Sequence, residues 1–153
     1  MTASTMGRRG TFAAGACLVV VALVPRRAGA EPLQAPTQAA VRQFIGDRTP
    51  QEGRVTLRVP PIAENGNTVP LSVQVESPMT AADHVKSILI LADKNPSPEV
   101  ASFRLTPALG RAQAETRIRL GTTQDVVAVA EMSDGSVWIA RAEVKVTIGG
   151  CGG

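Results

Sequence analysis

The sequence predicts an all-β protein with one short helix near its N-terminus, and three patterns support this prediction. Short segments in which apolar and polar residues alternate recur between residues 54 and 148. Gly, Pro, Asn and Asp residues separate these segments, as in strands joined by turns. A helical spacing of apolar residues occurs before them, in residues 37–46.

The helical segment is amphipathic and about three turns long. Thr37 is its predicted N-cap and Gly46 its predicted end. The apolar positions that share one face are Ala40, Val41, Phe44 and Ile45. We expect this segment, residues 31–53, to precede the β domain as a separate N-terminal part.

The first strands follow two different patterns. Residues 55–59 and 69–75 alternate between apolar and polar, and Asn65-Gly66-Asn67 between them predicts a hairpin turn. Residues 88–91 are apolar without a break, which is typical of a strand buried on both faces. In residues 88–91 and again in residues 126–129, apolar side chains point to both faces of the predicted strand. Such a strand suits either a core on both sides or a surface that binds a partner.

Further strands are predicted around residues 103–105, 118–120 and 126–130. The longest runs from Trp138 to Ile148, with one dry and one wet face up to its end. About seven short strands with no helical pattern between them predict an antiparallel β-sandwich of immunoglobulin-like type, residues 54–148.

Residues 1–30 have the features of an export signal. Arg8-Arg9 precedes an apolar stretch, residues 13–24, which is too short for a comfortable membrane crossing. Ala28-Gly29-Ala30 then predicts cleavage between Ala30 and Glu31, and the arginine pair indicates a twin-arginine signal. An uncleaved membrane anchor is the alternative. We therefore expect a periplasmic protein that, once mature, has no membrane segment.

The charge balance changes once the predicted signal is set aside. The chain has 16 Lys and Arg against 13 Asp and Glu, but four of the basic residues lie in residues 1–30, which contain no acid. The rest therefore has a net charge near −1 and no run of like charge. Aromatic residues are only 3% of the chain. A nucleic-acid surface needs clustered basic residues, so this class of function is excluded.

Cys151 is the candidate functional residue. It is the one cysteine left after residue 30, and an odd cysteine in an exported protein is either reactive or paired between chains. Gly149 and Gly150 precede it, and Gly152 and Gly153 follow it. Since glycine has no Cβ atom, we predict that residues 149–153 form a flexible arm reaching roughly 10 Å past the last strand.

Other readings of Cys151 are weaker. His84 is the one other soft metal ligand after residue 30, so no metal site or cofactor is predicted. A Cys–His catalytic pair needs a fixed geometry that glycines do not provide, so no catalytic residue is assigned. The tail cysteine of a non-covalent adaptor or chaperone could be incidental, or it could form a disulfide-linked dimer. A ubiquitin-like sulfur carrier is activated in the cytoplasm, which the export signal argues against, and its chemistry does not use a cysteine.

Three segments resemble the SoxY family of sulfur carriers: IAENGNTVP (residues 62–70), TQDVVAVAEMSDGS (123–136) and AEVKVTIGGCGG (142–153). The resemblance covers essentially the whole chain after residue 30, and its most specific element is the terminal Gly-Gly-Cys-Gly-Gly. It implies a non-enzymatic carrier in periplasmic thiosulfate oxidation, with sulfur intermediates bound covalently to Cys151. It also implies a heterodimer with a SoxZ-like subunit. The implied enzymes are a SoxXA-like c-type cytochrome, a SoxB-like hydrolase and, as a further partner, a SoxCD-like sulfane dehydrogenase.

Overall fold

The computed structural model describes residues 31–149. The predicted signal up to Ala30 and the tail residues Gly150, Cys151, Gly152 and Gly153 lie outside the described residues. The elements of the described part, in chain order, are α1 (Ala35–Ile45), β1 (Val55–Arg58), β2 (Ile62–Ala63), β3 (Val69–Val75), β4 (Val85–Ala92), β5 (Glu99–Arg104), a 3₁₀ turn (Pro107–Leu109), β6 (Ala112–Ile118), β7 (Gln124–Met132) and β8 (Val137–Val146).

Two sheets form a sandwich within residues 31–149. One has the strand order β1-β3-β6 and the other β2-β8-β7-β4-β5. Neighbouring strands are antiparallel except for β2, a two-residue strand that pairs with β8 in parallel. The predicted immunoglobulin-like β-sandwich with a short N-terminal helix is therefore confirmed.

The main core lies between the two sheets. Strand β3 points Val69, Leu71, Val73 and Val75 into it, as the alternation predicts. The facing sheet contributes residues of one parity from β4 and β7, among them Ile88, Ile90, Val126 and Ala128. Each fully buried side chain of this size contributes about 1.5–3 kcal/mol of transfer free energy.

Helix α1 covers the other face of the five-stranded sheet. Its buried residues Ala40, Val41 and Ile45 pack with a second set of strand residues, which are Leu89, Leu91, Val127, Val129 and Val137. Residues 88–91 are therefore buried on both faces, as predicted. Both parities belong to a two-sided core, so these residues leave no apolar face for a partner.

The predicted N-cap at Thr37 is wrong. The helix begins at Ala35 after Gln34, because Pro36 suits the first turn, where its missing N–H has no partner to lose. Thr37 is fully buried and its hydroxyl donates to the backbone carbonyl of Asp93, at 3.2 Å. The Asp93 carboxylate accepts from the Gln34 N–H at 2.8 Å, so the end of β4 fixes the start of the helix.

The prediction for the last strand is wrong at its end. Strand β8 stops at Val146, and Ile148 is 68% exposed. The predicted dry face is also incomplete, because Trp138 and Ala140 are only partly buried. A sheet of three strands cannot cover the full width of one with five, so part of β8 remains accessible.

Candidate functional site

The predicted sulfur-binding residue, Cys151, lies outside the described residues, so the geometry of the site is that of the segment before it. We call residues 147–149 the tail root. At its start, the Thr147 N–H donates to the Ala63 carbonyl at 3.1 Å, and the Thr147 hydroxyl donates to the Glu64 carbonyl at 3.0 Å. The tail root therefore continues the pairing of β8 with β2 by one residue.

Gly66 binds the next residue of the tail root. Its N–H donates to the carbonyl of Ile148 at 2.8 Å, and its own carbonyl accepts from the N–H of Leu120 at 2.8 Å. Gly66 is buried and has no positive φ. The strands on either side of the predicted hairpin, β1 and β3, do pair antiparallel, so this pairing is confirmed. The connection is longer than a tight turn at Asn65-Gly66-Asn67, because it includes β2, which pairs with β8 in the other sheet. Through Gly66 the segment also joins the tail root to the residues after β6.

Gly149 packs directly against the backbone of Gly121. A Cβ atom at position 149 would overlap the carbonyl oxygen of Gly121. A backbone atom can give way less easily than the end of a flexible side chain, so the described structure has a steric reason for glycine here. The prediction that Gly149 belongs to a flexible arm stays a prediction.

A buried pair of amide side chains holds the segment on which Gly149 rests. Asn95 and Gln124 are 6% and 2% exposed. The Asn95 side chain accepts from the Gly121 N–H at 3.1 Å and donates to the Arg119 carbonyl at 2.7 Å. Gln124 donates to Asn95 Oδ1 at 2.9 Å and accepts from the Lys94 N–H at 2.7 Å. The Asn95 side chain therefore holds the segment 119–121 at both its first and its last residue.

The surface next to this network is polar and contains more basic than acidic side chains. A cleft of about 370 Å³ shares Asn95 with the network and is also lined by Arg117, Arg119 and Glu99. Both arginines are exposed, and within residues 31–149 neither forms an ion pair. The Glu99 carboxylate offsets part of their charge.

The most connected carboxylate lies at the other end of the sandwich. Glu131 accepts from Arg48 at 2.8 Å and pairs with Lys86 at 3.4 Å. Burial by itself would raise the pKa of Glu131, but the hydrogen bond from Arg48 and the two positive charges outweigh it and hold the pKa below its ordinary value. Since Arg48 also donates to the Phe44 and Ile45 carbonyls, this cluster joins the end of α1 to the sheet.

Other kinds of site have little support in the described part of the chain. Among residues 31–149, no three His, Cys, Asp or Glu side chains are grouped as metal ligands. His84 lies in a loop, partly buried, with its ring Nδ1 3.0 Å from the Thr80 carbonyl. No helix among the described residues is both long and apolar enough to span a membrane.

Sequence reasoning missed the residues that support the tail root. Gly121 and Asn95 lie in turn-like segments and showed no pattern of their own. Their proximity to Gly149 depends on three loops from two sheets that meet at one end of the sandwich. Gly66 did carry a signal, the Asn-Gly-Asn motif, but its partner at Ile148 could not be read from local sequence.

The described fold and tail root define a class of protein: a small immunoglobulin-like β-sandwich in which the segment after the last strand is bonded to one end of the sandwich. A family model described as "Sulfur oxidation protein SoxY" matches residues 41–151. That range includes most of the described domain and extends to Cys151. The chain belongs to the SoxY family.

Solved structures agree with this assignment. The sulfur carrier protein SoxY from Chlorobium limicola f thiosulfatophilum is 32% identical, with a TM-score of 0.62, and the match covers 74% of this chain and 97% of that one. A superoxide reductase from Ignicoccus hospitalis has a TM-score of 0.55 at 17% identity, covering 61% and 79%. A putative superoxide reductase from Thermotoga maritima has a TM-score of 0.55 at 15% identity, and the match covers 63% of this chain and 93% of that one. The two reductases share the fold alone.

No curated protein sequence matches the chain.

Proposed function

We propose that this chain is a periplasmic carrier in thiosulfate oxidation, which holds sulfur intermediates covalently on Cys151 and presents them to separate enzymes. The observation that supports this most is the extent of the family match, which runs to Cys151 itself. A match confined to the sandwich would support only the fold, because one fold serves many functions.

The proposed chemistry begins with the thiolate of Cys151. Oxidative coupling forms a sulfur–sulfur bond: Cys–S⁻ and S₂O₃²⁻ give Cys–S–S–SO₃⁻ and two electrons, which a SoxXA-like c-type cytochrome accepts. A SoxB-like hydrolase then adds water and breaks the bond to the sulfonate: Cys–S–S–SO₃⁻ and H₂O give Cys–S–S⁻, SO₄²⁻ and two protons. Thiolate fraction and access control reactions of this type.

The carrier performs neither step itself. Its part is to hold the cargo and to bring it to each active site, including that of a SoxCD-like sulfane dehydrogenase where one is present. A SoxZ-like β-sandwich subunit completes the carrier as a heterodimer. The basic side chains of Arg117 and Arg119 would favour an anionic cargo near the tail root.

The intact mass of the protein isolated from thiosulfate-grown cells tests the attachment. We expect species heavier by S₂O₃ or by added sulfur atoms, all returned to the unmodified mass by a reductant. Cys151→Ser should remove these species and abolish thiosulfate-dependent cytochrome reduction, while unfolding stability changes by less than about 0.5 kcal/mol.

Cys17→Ser is the matched control, because the predicted cleavage removes that cysteine. It should leave both the adducts and the turnover unchanged. Adducts or turnover that persist in Cys151→Ser would rule out the proposed role. A disulfide-linked dimer as the sole modified form would favour a simple staple between chains.

A further inference from the structure

Beyond Thr147, the tail root makes two further contacts with the fold, and they involve consecutive residues. The Ile148 carbonyl is bonded to the Gly66 N–H, and Gly149 rests on the Gly121 carbonyl. Neither contact is part of a strand ladder, because β8 has ended at Val146. They hold residues 148 and 149, which no strand pairing holds.

The supporting backbone cannot easily move away. Gly121 has its N–H bonded to Asn95 Oδ1, and Arg119 before it has its carbonyl bonded to Asn95 Nδ2. Gly66 is held from its other side by the N–H of Leu120. A side chain at position 149 would therefore have to displace the tail root, since displacing Gly121 breaks bonds to a buried amide.

We infer that Gly149 is a positioning residue, in contrast to the prediction that placed it in the flexible arm: with Gly66, Gly121 and Asn95 it forms a clamp that fixes the origin of the arm bearing Cys151. The functional part of this inference rests on the proposed carrier role. The clamp itself is a property of the described residues and is tested without any sulfur chemistry.

The clamp shortens the arm. With Gly149 held, two residues lead from a fixed point to Cys151, and two fully extended residues span at most about 7 Å, at 3.3–3.6 Å per residue. An enzyme whose reactive centre lies deeper than that must also accept the end of the sandwich around Gly66 and Gly121. The contact surface of such an enzyme should therefore include this end.

A fixed origin also raises the concentration of the cysteine at a docked active site. Releasing the tail root back to Thr147, which keeps its bonds to Ala63 and Glu64, would leave four residues up to Cys151 instead of two. Effective concentration falls roughly as the −3/2 power of linker length, which predicts a decrease of about threefold. The loss should appear in kcat of the partner enzyme with KM unchanged, because docking through the sandwich is not altered.

Gly149→Ala tests the clamp, and Gly150→Ala is its matched control. Both add one methyl group to the same tail, and at position 149 that methyl group would meet the Gly121 carbonyl. In Gly149→Ala we expect hydrogen exchange of the Gly66 amide to accelerate about tenfold and kcat to fall about threefold. In Gly150→Ala both should stay within about twofold, and alkylation of Cys151 should be unchanged in both variants.

Equal effects of the two variants on Gly66 exchange and on kcat would overturn the inference. If Gly149→Ala fails to fold, the unmodified protein remains decisive: a Gly66 amide that exchanges at the rate of an unstructured chain means that there is no clamp. A different result would reject the carrier role and leave the clamp intact: turnover would survive in Cys151→Ser, while the Gly66 amide would stay protected from exchange.

Discussion

Replacing Asn95 by leucine tests the account of the buried amide pair. Leucine has the same branching at Cγ but no polar atoms, so the Arg119 carbonyl and the Gly121 N–H each lose the side-chain partner described here. An unsatisfied buried group costs about 1–3 kcal/mol. Because water can reach part of this segment, we expect a total loss of about 2–4 kcal/mol in the free energy of unfolding.

Urea unfolding of the chain beginning at Glu31, with Cys151→Ser to prevent dimers, measures this loss. At a slope of about 1.5 kcal/mol/M, the midpoint should fall by roughly 1–3 M with the slope unchanged. Asn67→Ala is the control: it changes an exposed asparagine near the same end of the sandwich and should cost less than about 0.5 kcal/mol. Equal midpoints for the two variants would refute the role of Asn95.

Two other predictions concern the acid stability of the domain and its export. The folded-state pKa of Glu131 is held below its ordinary value of 4.5. Its ionised form therefore stabilises the fold fully above that value, and the stabilisation disappears as the pH falls through the folded pKa. Glu131→Gln should lower the melting temperature at pH 7 and reduce its drop between pH 7 and pH 3; an undiminished drop would contradict the assignment. Replacing Arg8 and Arg9 by lysine should leave uncleaved precursor in the cytoplasm, as seen by fractionation, whereas normal export would exclude the twin-arginine route.

The sequence predicted most of the sandwich because burial leaves a period of two along a strand. Strand β3 is the clearest example, with four alternate residues facing the core. The unbroken apolar run at residues 88–91 was equally informative, since a strand is apolar on both parities only when both faces are covered. Helix α1 provides that second cover.

Helix ends and sheet edges could not be predicted in the same way. Thr37 has the chemistry of an N-cap, yet it is buried against Asp93, because the helix is positioned by the end of β4. Strand β2 has two residues, too few for any alternation to show. Its parallel pairing with β8 depends on the packing of the whole sheet.

The sequence by itself determined the strand faces, the family resemblance and the candidate cysteine, because each depends on residue type and spacing along the chain. Only the tertiary structure decided where the tail begins. Gly66, Gly121 and Gly149 lie far apart in sequence and meet because two sheets close over one core. Their contacts are made by backbone atoms, which all residue types share. The sequence therefore indicates such contacts only where a side chain is absent.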